Sequence, residues 1–286
     1  MTIDLTPGAV GISADLPGAM RLAQQHGFES VQPDGSYLAR LDDDGRARVS
    51  ATLRERGLRW GAAGLSVEFR QSEEAFRNDM RLLPATAAAL KAVEASRVGT
   101  WIRPGHAELE YAANLEIHAR RLREVARVLR DHGLRLGLEY VGTPSLRARV
   151  RHPFVHTLSQ ARDLVRAIDV PETGLVLDSW HWWTAGDTVE AVRGLRNADV
   201  VAVDLNDAPA GVPLADQMDN RRELPLATGV IPVRGFLQAL FDIGYDGPVR
   251  AEPFNGPLNQ LDDDDAAARV VASLRSAMAL VDPPTR

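Results

Sequence analysis

The sequence predicts a single (β/α)8 barrel spanning residues 1–286, and three observations carry that reading. Short apolar runs of strand length alternate with helix-period segments from one end of the chain to the other, which is the pattern of a parallel sheet wrapped by helices. A glycine marks joint after joint where a helix hands over to a strand. Acids interrupt the late apolar runs close to their C-terminal ends, where barrels of this architecture carry their active sites.

Eight strands are expected, at Ala9–Ser13, Glu29–Gln32, Leu58–Ala62, Ser96–Ile102, Leu134–Tyr140, Gly174–Trp180, Val200–Leu205 and Pro248–Glu252. Amphipathic segments fill the gaps at Ala19–His26, Gly45–Arg56, Ser72–Glu94, Leu115–His132, Ser159–Ile168, Thr188–Arg196 and Val233–Ile243, and Asp263–Val281 closes the chain. Pro84 should split the third of these, because it removes an amide donor and its ring collides with the preceding turn. The joints read His26-Gly27-Phe28, Arg56-Gly57-Leu58, His132-Gly133-Leu134 and Ile243-Gly244-Tyr245. In each, glycine can take the left-handed conformation that ends a helix. No glycine-rich phosphate fingerprint follows the first expected strand, which argues against a doubly wound nucleotide fold.

Composition bounds the function. The chain has no cysteine, so any metal must be held by oxygen or imidazole. A net charge of −6 disfavours nucleic acid as a partner, since phosphate recognition calls for a basic surface. No apolar run is long enough to span a membrane, and Met1-Thr2-Ile3-Asp4 lacks the basic start and apolar stretch of a signal peptide, so cytoplasm is the expected location.

The chemistry points to Glu139, Asp178, Asp204 and Glu252, at the ends of the fifth to eighth expected strands. Side chains alternate along a strand, so Gly137 shares a face with Glu139, Val176 with Asp178, and Ala202 with Asp204. If that face turns inward, four carboxylates meet at the barrel mouth. They would repel one another unless some were protonated or a divalent cation lay among them. Singly, each acid reads as a salt-bridging or capping residue; it is their common register that suggests a metal centre. Arg250 lies on the face of Glu252 but deeper, and reads as one half of a buried ion pair.

The chain resembles the sugar phosphate isomerase/epimerase superfamily, the xylose-isomerase-like TIM barrels that include ketose 3-epimerases, inosose dehydratases and hydroxypyruvate isomerases. The resemblance rests on Leu136-Gly-Leu-Glu139, Leu177-Asp-Ser-Trp-His181, Leu205-Asn-Asp-Ala-Pro209, Gly244-Tyr-Asp-Gly-Pro248 running into Glu252-Pro253, and the stretch from Asp219 to Ile231. It implies a divalent-metal-dependent isomerase or epimerase that moves a proton of a keto-sugar or related polyol through an enediolate. Glu139, Asp178, Asp204 and Glu252 would hold one ion, Mn²⁺ or Mg²⁺ first and Co²⁺ next, with Glu139 and Glu252 also acting as the proton carriers. His181 and Arg221 would contact substrate hydroxyls. Trp180 and Trp101 read either as core packing or as indoles that stack on a sugar face.

The sequence departs from that pattern at three places. Asp204 stands where many relatives carry histidine, Leu226 where a glycine is usual, and Pro232 where an acid is common. An all-oxygen ligand set favours hard ions over zinc. Two alternatives stay open beside the isomerase: a dehydratase or lyase acting on a keto-sugar, 3-keto-glycoside or inosose through the same site, and a non-catalytic sugar-binding barrel. Phosphodiester hydrolysis, as in the apurinic endonucleases of similar fold, asks for a histidine-rich zinc site, and the chain has only seven histidines, mostly away from the strand ends. Self-association into homo-oligomers is not decided by the sequence.

Overall fold

The computed structural model describes residues 1–281. Its main sheet contains β1 (Thr2–Leu5), β2 (Ser30–Val31), β3 (Arg59–Trp60), β4 (Ala63–Gly64), β5 (Arg97–Ile102), β6 (Arg135–Tyr140), β7 (Thr173–Asp178), β8 (Val200–Leu205) and β9 (Pro248–Ala251). The order across the sheet is β3-β2-β1-β9-β8-β7-β6-β5-β4, with every pair parallel. The two ends of that order, β3 and β4, belong to one stretch of chain separated only by Gly61 and Ala62. The sheet therefore curls until its edges meet along a single segment, and the nine strands make the eight staves of a TIM barrel.

Helices cover the outside, among them α1 (Leu16–His26), α2 (Asp43–Glu55), α3 (Tyr111–Asp131), α4 (Leu158–Ile168), α5 (Ser179–Ala185), α6 (Val233–Asp242) and α7 (Asp263–Met278). Their inner stripes are apolar at helical spacing. On α3, Leu122, Val125, Ala126 and Leu129 are buried while Arg120 and Arg127 on the same helix face outward. Fully burying a leucine of this kind stabilises the fold by roughly 1.5–3 kcal/mol. The segment expected at Ser72–Glu94 is broken into Glu73–Met80 and Leu83–Ala92, with Pro84 in the first turn of the second piece. Gly27, Gly57, Gly133 and Gly244 all take positive φ, between 67° and 75°, as helix ends entering strands require. No helix among the described residues is long and apolar enough to cross a membrane.

The first strand corrects the sequence reading. Ala9–Ser13 is not a strand: Pro7–Val10 forms a 3-10 turn closed by Gly11 at φ 76°, and β1 lies earlier, at Thr2–Leu5. Asp4 breaks the apolar pattern of Thr-Ile-Asp-Leu, which hid the strand, yet Asp4 is wholly buried. The sixth expected strand also ends earlier. Asp178 caps α5 by accepting a hydrogen bond from the Trp180 amide, so Ser179 and Trp180 are helical.

The barrel interior is layered. Ala62, Val176 and Ala202 pack together as a small buried cluster inside the sheet. Two residues further along their strands, Asp178 and Asp204 are register partners, and Asp204 is also the partner of Arg250. Side-chain alternation thus places an acidic layer directly above an apolar one, at the C-terminal mouth.

Candidate active site

The acids expected to converge lie together. One carboxylate oxygen each from Glu139, Asp204 and Glu252 fall within 4.8 Å of one another, and Glu139, Asp178 and His181 form a second trio on the same terms. Asp178 and Asp204 are fully buried, Glu139 nearly so, and Glu252 keeps 20% of its side chain exposed. Burial, followed by repulsion from Glu252, Asp204 and Asp178, pushes the Glu139 carboxyl well above its ordinary range. Burial and then Asp204 raise Glu252 to about 8.

Two arginines face these acids. Arg250 binds Asp204 with both ends of its fork, Nε reaching Oδ1 in a close contact and Nη2 reaching Oδ2 over 3.0 Å. The buried ion pair expected for Arg250 is therefore with Asp204. Arg222 is almost completely buried and donates from Nη1 to Asp178 Oδ2 over 2.7 Å and from Nη2 to Asp219 Oδ1 over 2.9 Å, with Glu252 Oε2 at 3.4 Å. Asp178 also accepts from Trp180 N and Asn206 Nδ2, yet burial still lifts it to about 6.

His181 is buried with its Nε2 3.6 Å from Glu139 Oε1 and 3.7 Å from Asp219 Oδ1. The Gly142 amide donates to its Nδ1 over 3.3 Å, and Arg222 Nη2 lies 3.3 Å from its Nε2. Burial and the neighbouring Arg222 depress its pKa to about 3, so the ring is neutral.

The remaining expected residues divide. Trp101 is 43% exposed and lines a cavity of about 310 Å³ at the mouth, together with Glu139, Glu252, Gln32, Thr100 and Phe254. Trp180 is fully buried instead, with its indole N–H bonded to Thr143 and the Arg222 guanidinium 5.3 Å from its ring, so it backs the site and presents no open face. Arg221 is exposed and lies outside the acid cluster; the guanidinium among the acids belongs to its neighbour Arg222. His106, His152 and His156 do not join the cluster, and His106 caps the turn ahead of α3 by accepting from the Glu108 and Leu109 amides.

Sequence reasoning missed the residues that hold this layer in place. Asn206 donates to Asp178 Oδ1 over 2.9 Å and accepts from the Glu252 amide over 3.1 Å, tying the ends of β7, β8 and β9 together. Asp207, fully buried, accepts from the amides of Ala208, Thr228, Gly229 and Ile231 and so folds back the loop that carries Asp219 and Arg222. Both sit in the Leu205-Asn-Asp-Ala-Pro209 run, and a pair of amide and acid at a strand end was the available signal. Asp4, buried beneath the layer, is raised to about 6 by burial; a Cβ on Gly61 would stand 2.3 Å from its Oδ1. Leu226 adopts φ 66°, a backbone state suited to glycine.

The donor set fits a divalent cation. Glu139 Oε1 is buried without a hydrogen-bond partner, and two guanidiniums face four carboxylates as well as Asp219. Carboxylates have about four lone-pair directions each, so those engaged by arginine keep capacity to ligate.

An eight-staved barrel with an acidic layer at its C-terminal mouth defines the class of protein. The chain belongs to the xylose isomerase-like TIM barrel family, whose pattern matches residues 20–277. A xylose isomerase domain protein from Alicyclobacillus acidocaldarius is 33% identical and superposes with a TM-score of 0.86, covering 98% of this chain and 99% of that one. An IOLI protein with a bound zinc atom shares the fold at a TM-score of 0.81, 18% identity and 98% coverage of both chains. Inosose isomerase of Bacillus subtilis is 27% identical over 145 residues, 51% of this chain and 49% of that protein. The 3-dehydroshikimate dehydratase of Pseudomonas putida is 32% identical over 134 residues, 45% of this chain and 20% of that protein. The matched segment thus spans about half the length of the inosose isomerase and a fifth of the dehydratase.

Proposed function

We propose that this protein is a divalent-metal-dependent isomerase or epimerase of a keto-sugar or related polyol. The observation that carries the reading is that Glu139 and Glu252 line one mouth cavity of about 310 Å³, both with pKa values raised by burial and by neighbouring carboxylates. Glu139, Asp178, Asp204 and Glu252 would hold the ion, Mn²⁺ or Mg²⁺ ahead of Co²⁺ because the set is all oxygen. When bound, the cation polarises a substrate carbonyl and its adjacent hydroxyl, which acidifies the intervening C–H.

The protein's residues supply the rest. Glu139, in β6, and Glu252, just past β9, would serve as the two proton carriers facing the cavity. One takes the proton to form an enediolate, and the other returns one to the opposite face. His181 would contact a substrate hydroxyl through its neutral ring, and Arg222 offsets the charge of Asp178 and Asp219. The indole of Trp101 offers an apolar face to a ring.

The dehydratase relative favours a second reading, in which the same proton abstraction ends in loss of a β-hydroxyl. Incubation with keto-sugars, 3-keto-glycosides and inososes in D₂O tests both. Epimerisation gives a deuterated isomer otherwise unchanged in mass, whereas elimination gives a conjugated product with a new absorbance. Glu252→Gln should keep part of the metal binding and lose the exchange; exchange at the wild-type rate in that variant would exclude Glu252 as the base.

A further inference from the structure

A second cavity opens beside the mouth, between the loop that follows β8 and the loop that follows β9. Its volume is about 640 Å³, and Arg221, Arg269, Glu223, Phe254, Leu224 and Leu258 are among its walls. Phe254 lines both this cavity and the mouth cavity, and forms the partition between them. Its backbone is held at φ 44°, and its ring packs 4.7 Å from the Arg222 guanidinium carbon. A bulky residue rarely adopts that left-handed conformation, so its surroundings hold the backbone there.

The charges of the cavity are uneven. Arg222 is consumed by Asp178 and Asp219 on its inner side. Glu223 directs Oε2 to the Asn255 amide nitrogen, 3.0 Å away. Arg221, from the β8 loop, and Arg269, from α7, have no side-chain hydrogen bond or ion pair among the described residues. Two free guanidiniums from different elements, set in walls of proline, leucine and phenylalanine, make a receptor for a planar or tetrahedral anion on an apolar body.

We propose that this cavity is a binding subsite for an organic anion, a carboxylate or phosphate group, adjoining the acid layer but separate from it. The proposal needs neither a metal nor proton transfer. Carboxylates of the mouth are engaged by Arg222 and Arg250, whereas Arg221 and Arg269 stand on this side of Phe254.

Calorimetric titration with benzoate and with inorganic phosphate, in a buffer free of other multivalent anions, tests it. The wild type should bind at least one probe with a dissociation constant on the order of millimolar. Arg221→Ala and Arg269→Ala should each weaken that binding about tenfold, and the double variant should abolish it. Both residues are exposed, so thermal unfolding should show the variants folded as the wild type. Preference for benzoate assigns the subsite to carboxylates and preference for phosphate to phosphate groups. Glu252→Gln should bind the same probe unchanged, which separates this subsite from the proposed catalytic one. Absence of binding to the wild type, binding that survives in the double variant, or binding lost in Glu252→Gln would overturn the proposal.

Discussion

Arg222 Nη1 lies 2.7 Å from Asp178 Oδ2, and this pair joins the long loop after β8 to the end of β7 inside the barrel. Arg222 is 1% exposed and Asp178 not at all. Removing one partner of such a pair leaves a buried, uncompensated charge, at a cost of about 3–5 kcal/mol. Arg222→Met should therefore lower stability by that order in urea unfolding. Arg221→Ala, one residue away on the exposed side, should change it by no more than about 0.5 kcal/mol. Equal losses from the two would contradict the placement described here.

That contrast marks where sequence reasoning reached and where it stopped. The four acids were legible because each interrupts an apolar run near a strand end, and strand periodicity alone put Asp178 and Asp204 above Val176 and Ala202. The glycine joints were legible because positive φ selects glycine. The choice between Arg221 and Arg222 was not, since both stand in an irregular loop with no period to orient them. That loop is positioned by Asp207 through the amides of Thr228, Gly229 and Ile231, contacts between residues more than twenty positions apart. β1 was misplaced for the opposite reason: Asp4 is a buried acid inside a strand, the very pattern used for the late strands, in a run too short to display it.

The raised carboxyls should make the proposed cation binding pH-dependent. A folded pKa of about 8 for Glu252, against 4.5 ordinarily, means the metal-free fold is most favoured below the ordinary value and loses that advantage as pH rises through 8. A cation must displace the proton, so its affinity should rise over the same interval. Melting temperatures with EDTA should fall between pH 5 and 8 relative to a Glu252→Gln variant. Added Mn²⁺ should raise the wild-type melting temperature more at pH 8 than at pH 6, with proton release visible as buffer-dependent heat. A stabilisation by Mn²⁺ that is flat with pH would show that these carboxyls are not its ligands.

His118 contributes a linkage of its own, away from the site. Its ring packs 4.8 Å from that of Phe154 and edge-on to Phe69, with Nδ1 on the Asn114 carbonyl and Nε2 buried without a partner. Burial depresses its pKa from 6.5 to about 4. The stability from keeping this ring neutral is intact above pH 6.5 and is lost as pH falls toward 4, because the unfolded chain takes the proton first. The loss is on the order of 3 kcal/mol. His118→Phe should flatten the pH dependence of the unfolding midpoint between 6.5 and 4; an unchanged slope would place the acid sensitivity elsewhere.

Trp101 and Arg70 give the mouth a rigid aromatic wall. The Arg70 guanidinium carbon lies 4.4 Å from the Trp101 ring centre and 4.3 Å from that of Phe69, while Nε donates to the Trp101 carbonyl and Nη2 to Thr100 Oγ1. Glu68 neutralises it at 3.2 Å. Stacking and hydrogen bonds together hold the indole from one side and leave its other surface for the cavity. Such a platform binds the ground state and the transition state alike, so its loss should raise KM and leave kcat nearly unchanged. Trp101→Ala should raise KM by about tenfold, taking a ring contact as roughly 1 kcal/mol or slightly more. Arg70→Met removes the clamp but not the indole, and should raise KM by a smaller factor while making Trp101 fluorescence more mobile in anisotropy. A fall in kcat without a change in KM in either variant would mean that Trp101 serves the chemistry and not the holding of substrate.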